Sequence, residues 1–425
     1  MKLLFYGINF APELTGIGKY TGEMAQWLAQ AGHEVRVITA PPYYPAWKVG
    51  AGYSARQYRT ESWQGVRVMR TPLWVPHQPG GLKRLLHLAS FALGSLPVLW
   101  AKWRWKPDVV WVVEPPLMCA PAAVAFASLR GARSWLHIQD YEVDAAFDLG
   151  LIRGPTLRRW VQRAERWLMR RFDRVSTISG RMVDRALAKG VAAERVLHCP
   201  NWVDIGGISP LTAPSAYRAE LGLAPDAVVA LYSGNMGNKQ GLEILAEVAR
   251  LVQDDPRIQL VLGGNGSGRA DLQARCAGLG NVRFLDLQPL ERLNDWLGLA
   301  DVHLLPQRAD AADLVMPSKL TGMLASGRAV LATAMPDTEL CRVVTQDAAC
   351  GLVVPPENPA AMADALRALA ADPARRAELG ANGRRHAEAE LSQDVILRRF
   401  EAQLMALVQG EPASGELRRA VEQLK

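Results

Sequence analysis

The feature that most constrains the fold is a strand–turn–helix pattern that occurs twice, once near the start of each half of the chain. In each copy an apolar run breaks at a glycine and leads into a stretch with helical spacing. The first copy covers residues 2–19 and the second covers residues 227–241. Such a run is typical of a buried parallel strand, and the turn after it presents backbone amides and a helix N-terminus to an anion. The pattern predicts two α/β domains that hold a nucleotide diphosphate in the cleft between them.

The 425-residue chain is too long for one compact core. We predict an N-terminal domain over residues 1–200, a C-terminal domain over 201–395, and a helical tail over 396–425 that packs back on the first domain. A segment rich in proline and glycine, residues 199–216, is the expected linker. Strands are expected at residues 2–7, 34–39, 66–70, 109–113, 134–138 and 175–178, and at 227–234, 259–262, 282–285, 302–305 and 329–332. This alternation with helices predicts doubly wound parallel sheets.

Composition excludes several classes of protein. The five cysteines are scattered and include no C-x-x-C pair, so we expect reduced thiols, no metal site and a cytoplasmic location. The net charge of +7 is concentrated: residues 153–174 contain eight arginines against two acidic residues, and eleven of the thirteen tryptophans precede Trp202. The chain contains no recognised nucleic-acid-binding motif, so nucleic acid is disfavoured as a partner. A basic, tryptophan-rich first half favours an anionic membrane surface instead.

In the second half, three turns supply candidate ligands for a diphosphate. Ser233, Gly234 and Asn235 follow the first strand, with Lys239 close behind. Gly264 and Gly266 follow the next strand. Ser318 and Lys319 come directly after Pro317, a residue favoured in the first turn of a helix, so we expect a second phosphate-facing helix N-terminus there. Tight turns and an N-cap without a ligand are the alternatives.

In the first half, Gly16 and Gly18 open the first helix and are candidates for phosphate contact. Their spacing is not G-x-G-x-x-G, and no acidic residue ends the second strand, so a dinucleotide oxidoreductase is disfavoured. His137 and Asp140 end a later strand and are candidates for catalysis or for positioning a sugar. Glu13 is a further catalytic candidate. The alternative for His137 is a buried core histidine.

Two segments of the first half predict membrane contact. Residues 82–105 combine a mostly apolar run with flanking basic residues and with Trp100 and Trp103. The run is marginal for spanning a bilayer, so an in-plane segment is favoured over a span, and a helix covered by the domain is the alternative. Residues 156–172 place apolar side chains near one helix face and arginines on the other. Four of these arginines are candidates for binding lipid phosphates or the diphosphate of a polyprenol carrier: Arg159, Arg163, Arg166 and Arg170.

Three stretches of the chain, residues 6–24, 32–45 and 137–144, closely resemble the colanic acid fucosyltransferases of exopolysaccharide assembly. These are retaining family 4 glycosyltransferases of the GT-B fold, in which two Rossmann-like domains face a central cleft. The resemblance implies transfer of fucose from GDP-fucose, with retention and without a metal or other cofactor. It implies a polyprenyl-diphosphate-linked oligosaccharide as acceptor and a peripheral position on the cytoplasmic face of the inner membrane.

Carried over residue by residue, the resemblance puts Gly16 and Gly18 at the donor phosphates, residues 233–239 with Ser318 and Lys319 at the diphosphate, and Gly264 and Gly266 against the nucleotide. His137 and Asp140 would approach the donor sugar. The chain departs from the family where many members carry an Arg and a Lys, at Asn235 and Gln240, and where they carry two glutamates, at Leu314 and Gly322. Two alternatives stay open: a UDP-N-acetylhexosamine donor, and an inactive membrane-bound scaffold of polysaccharide assembly.

Overall fold

The computed structural model of the protein describes residues 1–77, 80–148, 155–237, 240–309 and 316–411. The chain divides into two compact units. Unit 1 comprises Met1–Pro200 together with the chain from Leu397 onward, and unit 2 comprises Asn201–Ile396. Each unit is an α/β domain built on its own sheet.

The sheet of unit 1 has eight strands in the order β3-β4-β2-β1-β5-β6-β7-β8. All neighbours pair in parallel except β3 and β4, which form an antiparallel edge. The strands are β1 (Lys2–Tyr6), β2 (Glu34–Thr39), β3 (Arg59–Trp63), β4 (Val66–Arg70), β5 (Val109–Glu114), β6 (Arg133–Ile138), β7 (Arg174–Thr177) and β8 (Val196–His198). Strand β5 is buried along its whole length, as expected for a parallel strand covered on both faces.

Six helices connect these strands: α1 (Gly16–Gln30), α2 (Gly81–Trp100), α3 (Ala120–Arg130), α4 (Glu142–Asp148), α5 (Pro155–Met169) and α6 (Gly180–Ala188). Side chains of α2, α3, α5 and α6 share one apolar core with Leu4, Tyr6, Val110, Val112 and Leu136. These strand positions alternate along the chain with Phe5, Trp111 and Trp135. Because successive side chains of a strand point to opposite faces, the four helices cover one face of the sheet.

The last helix, α15 (Gln393–Gln409), supplies part of unit 1 from the far end of the chain. Phe400 packs against Trp111 and Trp135, with ring centroids 6.1 and 4.9 Å apart. Glu401 accepts a hydrogen bond from His33 at 2.8 Å. The carbonyl oxygen of Glu411 accepts from the Arg174 guanidinium at 2.7 Å. Residues 397–411 therefore complete the core opposite α2 and α5.

Unit 2 contains a six-stranded parallel sheet in the order β11-β10-β9-β12-β13-β14. The strands are β9 (Val228–Ser233), β10 (Ile258–Gly263), β11 (Val282–Leu285), β12 (Val302–Leu305), β13 (Ala329–Thr333) and β14 (Gly351–Val354). The helices are α7 (Tyr217–Glu220), α8 (Glu243–Leu251), α9 (Arg269–Arg275), α10 (Leu293–Gly298), α11 (Lys319–Ala325), α12 (Glu339–Arg342), α13 (Pro359–Ala371) and α14 (Pro373–Glu390). Successive residues of β9 enter different apolar cores. Ala230 packs in the core that contains α8 and α13, and Leu231 packs in the core that contains Trp296 of α10.

The expected linker is largely part of unit 2. The Arg384 guanidinium donates to the carbonyl oxygens of Ile205 (3.0 Å), Ile208 (2.6 Å) and Ala325 (2.9 Å). Proline and glycine exclude regular secondary structure from this segment, but they do not prevent it from packing on a domain. The antiparallel strand β3 and the short strands β8 and β14 were not expected from the sequence.

Candidate active site

In unit 2 the candidate donor site lies where β9 and β10 end. Their register pairs Gly263 with Ser233, so the two turns begin at the same level of the sheet. Gly234, Gly264 and Gly266 have φ angles of 135°, 137° and 155°, a region that L-residues with side chains rarely adopt. A Cβ atom on Gly264 would overlap the carbonyl oxygen of Gly234, and one on Gly266 would lie 2.5 Å from the carbonyl oxygen of Met236. Only glycine allows these backbones to approach so closely.

Lys319, the first residue of α11, reaches this pair of turns. Its Nζ donates to the Tyr232 hydroxyl at 2.8 Å and lies 4.2 Å from the centroid of the Tyr232 ring. A Cβ atom on Gly234 would lie 3.3 Å from the same nitrogen. Burial lowers the pKa of Lys319 to about 8. Among the residues that the structure describes, no carboxylate forms an ion pair with this ammonium, so its charge is available to an anion.

The polar residues beside these turns differ in whether their hydrogen-bonding groups already have partners within the protein. Ser233 accepts a hydrogen bond from the Trp296 indole at 2.8 Å, so its hydroxyl already has a structural partner. Asn235 is exposed, and its carbonyl oxygen accepts from Tyr232 at 2.5 Å. Lys239 lies outside the described residues. The structure thus brings Ser233, Gly234, Asn235, Gly264, Gly266 and Lys319 together at one edge of the sheet.

The segment before α11 corrects one detail of the sequence analysis. Pro317 precedes the helix rather than occupying its first turn, and Ser318 is an exposed N-cap whose side chain makes no capping hydrogen bond. The approach of Lys319 to Gly234 is therefore the stronger evidence for an anion site here. At Gly322, where many family 4 members carry a glutamate, a Cβ atom would lie 3.3 Å from Leu297. Leu314 lies outside the described residues.

In unit 1 the surroundings of Glu13, a catalytic candidate in the sequence, favour a structural role. Its carboxylate is buried, and both oxygens are occupied within the protein. Oε1 accepts from the backbone amides of Tyr43 and Tyr44 at 3.0 Å each, and Oε2 accepts from the Asn9 amide at 2.9 Å. Burial raises the pKa of the Glu13 carboxyl, and the two backbone amides oppose that rise. Glu13 instead ties the loop after β1 to the loop after β2.

Glu13 also gives a structural reason for Gly18. A Cβ atom on Gly18 would overlap the Glu13 carboxylate and lie 2.7 Å from the Glu13 Cβ. Gly18 is buried, which favours a packing role for this glycine. Gly16 differs, because it is exposed at the start of α1 with φ of 62°. Of the two glycines, only Gly16 is open to a ligand.

Arg70, which the sequence analysis did not single out, also connects the loops near Glu13. Arg70 is 2% exposed, and its guanidinium donates to the carbonyl oxygens of Ala11 (2.5 Å) and Ala40 (3.0 Å). It also pairs with Glu61 at 2.8 Å. Since Arg70 ends β4, its side chain ties β3, β4 and the two loops together. The sequence carries no clear signal for this role, because β4 contains a second arginine, Arg67, which is exposed.

The surroundings of His137 favour the alternative interpretation of a buried core histidine over a catalytic ring. His137 is 2% exposed, and its ring stacks on Trp111 with centroids 5.2 Å apart. Its Nδ1 lies 2.8 Å from the Ser176 hydroxyl, and its Nε2 lies 2.9 Å from the side-chain amide nitrogen of Gln139. Burial lowers the pKa of His137 to about 3. The ring is therefore a neutral core group that fixes the end of β6, where Asp140 is partly exposed.

Helix α5 is amphipathic, but its first turns leave apolar side chains in solvent. Leu157 and Trp160, expected on its apolar face, are 52% and 66% exposed. The helix is attached mainly through its last turns, where Glu165 pairs with Lys189 at 2.5 Å and Leu168 is buried. Arg159, Arg163, Arg166 and Arg170 are all exposed. A surface pocket of about 380 Å³ lies on this helix and is lined by Arg163, Arg166, Trp167, Arg170 and Arg171.

Helix α2 is long and apolar enough to cross a membrane by length and composition, yet one third of its most apolar window is buried in the protein. Trp100 and Trp103 are each 39% exposed at its C-terminal end. They pack side by side, with ring centroids 5.9 Å apart. Length and composition are weak evidence for a span, because core helices of soluble proteins share them.

Comparison with known proteins identifies the family. Residues 15–202 match the glycosyl transferase 4-like domain, and residues 227–372 match the domain of glycosyl transferases group 1. The chain is 45% identical to WcaI of Escherichia coli, named as a colanic acid biosynthesis glycosyl transferase, over 94% of this chain and 98% of that protein. The protein is a family 4 glycosyltransferase.

Solved structures agree on the GT-B fold. Sucrose-phosphate synthase from Thermosynechococcus elongatus superposes with a TM-score of 0.72 at 18% identity, over 96% of this chain and all of that one. HepE from Anabaena, in complex with UDP and glucose, superposes with a TM-score of 0.68 at 16% identity, again over 96% and 100%. These identities support the fold alone. The turns after β9 and β10 are thus the candidate donor site of a GT-B glycosyltransferase.

The close backbone contact at Gly264 gives a first prediction. Gly264→Ala should lower the free energy of unfolding by about 2 kcal/mol or more, because the new methyl group collides with the Gly234 backbone at a strained φ. It should also abolish nucleotide binding. Gly280→Ala is the matched control, since a Cβ atom there meets nothing within 4 Å. Chemical denaturation and nucleotide titration measure both effects. Unchanged values for Gly264→Ala would contradict the assignment.

The hydrogen bonds by which Glu13 connects two loops give a second prediction. Glu13→Ala should destabilise the protein by about 2 kcal/mol, because the buried amides of Tyr43 and Tyr44 lose their acceptor. Glu13→Gln should cost less, since its side-chain oxygen still accepts from both amides. Leu14→Ala, at a neighbouring position that is 69% exposed, is the control. Thermal unfolding measures the difference. Loss of turnover without loss of stability in Glu13→Ala would restore a catalytic role.

Proposed function

We propose that the protein transfers fucose from GDP-fucose to a polyprenyl-diphosphate-linked oligosaccharide, with retention of configuration, in the assembly of a colanic-acid-like exopolysaccharide. The identity to WcaI supports the pathway, and the resemblance of residues 6–24 and 137–144 to fucosyltransferases supports the donor. The observation that carries the proposal is the ammonium of Lys319, which lies beside the glycine turns without a carboxylate partner among the described residues.

The donor diphosphate fits this place for a physical reason. A diphosphate carries charge that bare backbone amides and one cation can compensate without a metal ion. Gly234 and Gly264 leave the backbone uncovered, and Lys319 supplies the cation. The leaving-group charge would then be stabilised by groups that are already in position before reaction. We therefore propose a metal-independent enzyme that needs no cofactor besides its nucleotide-sugar substrate.

The acceptor side of the proposal rests on unit 1. The arginines around the pocket on α5 suit the phosphate oxygens of a polyprenyl diphosphate. A single guanidinium group can donate two parallel hydrogen bonds to two oxygens of one phosphate. The pocket offers no carboxylate among its lining residues. Such a carrier lies in a bilayer, so we propose that the enzyme is peripheral on the cytoplasmic face of the inner membrane.

For the reaction we propose attack from the face of the sugar that the diphosphate leaves. The bond between the anomeric carbon and the phosphate oxygen breaks, and the bond to the acceptor oxygen forms on the same side. The acceptor hydroxyl proton passes to the departing phosphate oxygen. Lys319 and the turn amides would stabilise the negative charge on the diphosphate, which is largest in the transition state.

Calorimetric titration with GDP, UDP and GDP-fucose tests the donor. Selective binding of GDP and GDP-fucose is the expected result. Preference for UDP would retain sugar transfer and replace fucose by another donor, with a UDP-N-acetylhexosamine as the first alternative. Absence of binding by any of the three would favour the inactive scaffold.

Lys319 gives a third prediction with its own pH profile. Lys319→Met removes the charge while keeping the stem, and should lower turnover about a hundredfold. Because the pKa of Lys319 is about 8 and only the ammonium attracts the diphosphate, affinity for GDP should fall as the pH rises through 8. Complete titration of one such group between pH 7 and 9 corresponds to about a tenfold loss.

Lys319→Arg is the matched control, because a guanidinium stays protonated over this range. Its affinity for GDP should change less between pH 7 and 9 than that of the unsubstituted protein. Titration calorimetry at several pH values separates this effect from ionisation of the nucleotide, which is common to all variants. An unaltered affinity and pH profile in Lys319→Met would remove Lys319 from the donor site.

A further inference from the structure

The outer side of helix α2 carries an apolar stripe that the core does not use. Leu82, Leu86, Leu93 and Trp100 are 69%, 52%, 68% and 39% exposed. Their spacings of four, seven and seven residues place them above one another on one side of the helix. The stripe extends over almost the whole 20-residue helix, about 30 Å in length.

The other side of α2 is fixed to unit 1 by buried polar contacts as well as by packing. The Ser95 hydroxyl lies 2.6 Å from the Tyr6 hydroxyl, and His87, which is fully buried, lies 2.6 Å from the carbonyl oxygen of Trp74 through Nδ1. The Tyr58 hydroxyl donates to the carbonyl oxygen of Gly94 at 2.9 Å. A transmembrane position would break these contacts and leave their polar groups in hydrocarbon.

The charges around α2 identify the chemistry of a partner. Between Glu61 and Asp108 the sequence contains no acidic residue. Lys83 and Arg84 lie in the first turn of the helix, and Lys102 and Arg104 follow its end. Trp100 and Trp103 flank the same end, where an indole suits the boundary between hydrocarbon and headgroups. Apolar side chains between two basic ends complement an anionic phospholipid surface.

From these observations we infer that α2 is an in-plane membrane anchor, inserted side-on into one leaflet through Leu82, Leu86, Leu93 and Trp100. This inference rests on the peripheral location proposed above and specifies the surface and the depth of contact. The arginines of α5 belong to the same side of unit 1, because α2 and α5 cover the same face of the sheet. Those arginines contact headgroups, whereas the leucines of α2 enter the acyl region.

Flotation of the full-length protein with vesicles tests the anchor. The protein should bind phosphatidylethanolamine vesicles that contain phosphatidylglycerol, and bind more weakly without it. Leu93→Gln should lower the partition coefficient about tenfold, because one inserted leucine is lost. Leu287→Gln is the matched control, since Leu287 is equally exposed, at 68%, but lies in unit 2. Binding to neither kind of vesicle, or equal binding of all three proteins, would overturn the inference.

Depth is measured separately with a fluorophore on Leu93→Cys, in a Cys341→Ser background that removes the one cysteine that is not buried. Its emission should shift to the blue and be quenched by lipids brominated on the acyl chains. A vesicle-bound protein whose label stays in water would overturn the inference in favour of docking through α5. Dimerisation in the absence of lipid that Leu93→Gln abolishes would also overturn it, in favour of a second copy of the chain.

Titration of the Leu93→Gln variant with GDP keeps this test separate from that of the proposed function. Retained GDP affinity with lost vesicle binding supports the anchor and leaves the donor site intact. Vesicle binding that depends on Leu93 in a protein without nucleotide affinity would support the anchor while refuting sugar transfer.

Discussion

The close approach of two backbones at the end of the second sheet is the constraint on which the candidate donor site depends. The register of β9 and β10 brings both turns to one level, and only glycine at position 264 avoids collision with Gly234. With no side chain in the way, Lys319 reaches the turn and lies against Tyr232. Tyr232 contacts this ammonium through both its hydroxyl group and its ring. Among the described residues no carboxylate pairs with Lys319, so no acidic side chain neutralises its charge there. The strained backbone and the available cation are therefore consequences of one arrangement.

Unit 1 differs from unit 2, because three polar residues at or near its strand ends are already hydrogen-bonded within the protein. Glu13, Arg70 and His137 are buried, and their hydrogen-bonding groups connect loops and strands to each other. A buried carboxylate or ring that already has partners contributes rigidity rather than chemistry. Gly16 and Asp140 remain accessible at the same edge of the sheet. The rigid loops thus leave a small number of groups exposed at this edge. The loops are already ordered in the folded protein, so binding a ligand would not require them to lose further conformational entropy.

The expected bounds of β2, β4, β11 and β12 agree with the structure residue for residue, although only β12 among them is buried along its whole length. In β2 and β4 the strand signal is the alternation of valines with polar residues. Strand β3 was missed because Arg59–Trp63 is mostly polar, and its pairing with β4 stabilises it. The internal hydrogen bonds of Glu13 and His137 could not be foreseen from the sequence for another reason. A sequence locates a residue at a strand end, but the direction of its side chain depends on neighbours such as Tyr43 and Ser176 that are distant in the chain. The packing of Gly18 was hidden for the same reason, since the group that excludes a side chain there is the Glu13 carboxylate.

Helix α2 needs a different explanation, because its exposed leucines have no role in folding. A helix that covers one face of a sheet needs a single apolar side, which Leu88, Phe91 and Leu99 already provide. Leucines on the opposite side gain no transfer free energy in the folded monomer and expose apolar area to water. A bilayer removes that area from water without disturbing the buried contacts, because the two sides of the helix are independent. In the proposed anchor the same helix would serve both the protein core and the membrane, and it would hold unit 1 beside the carrier lipid of the proposed acceptor.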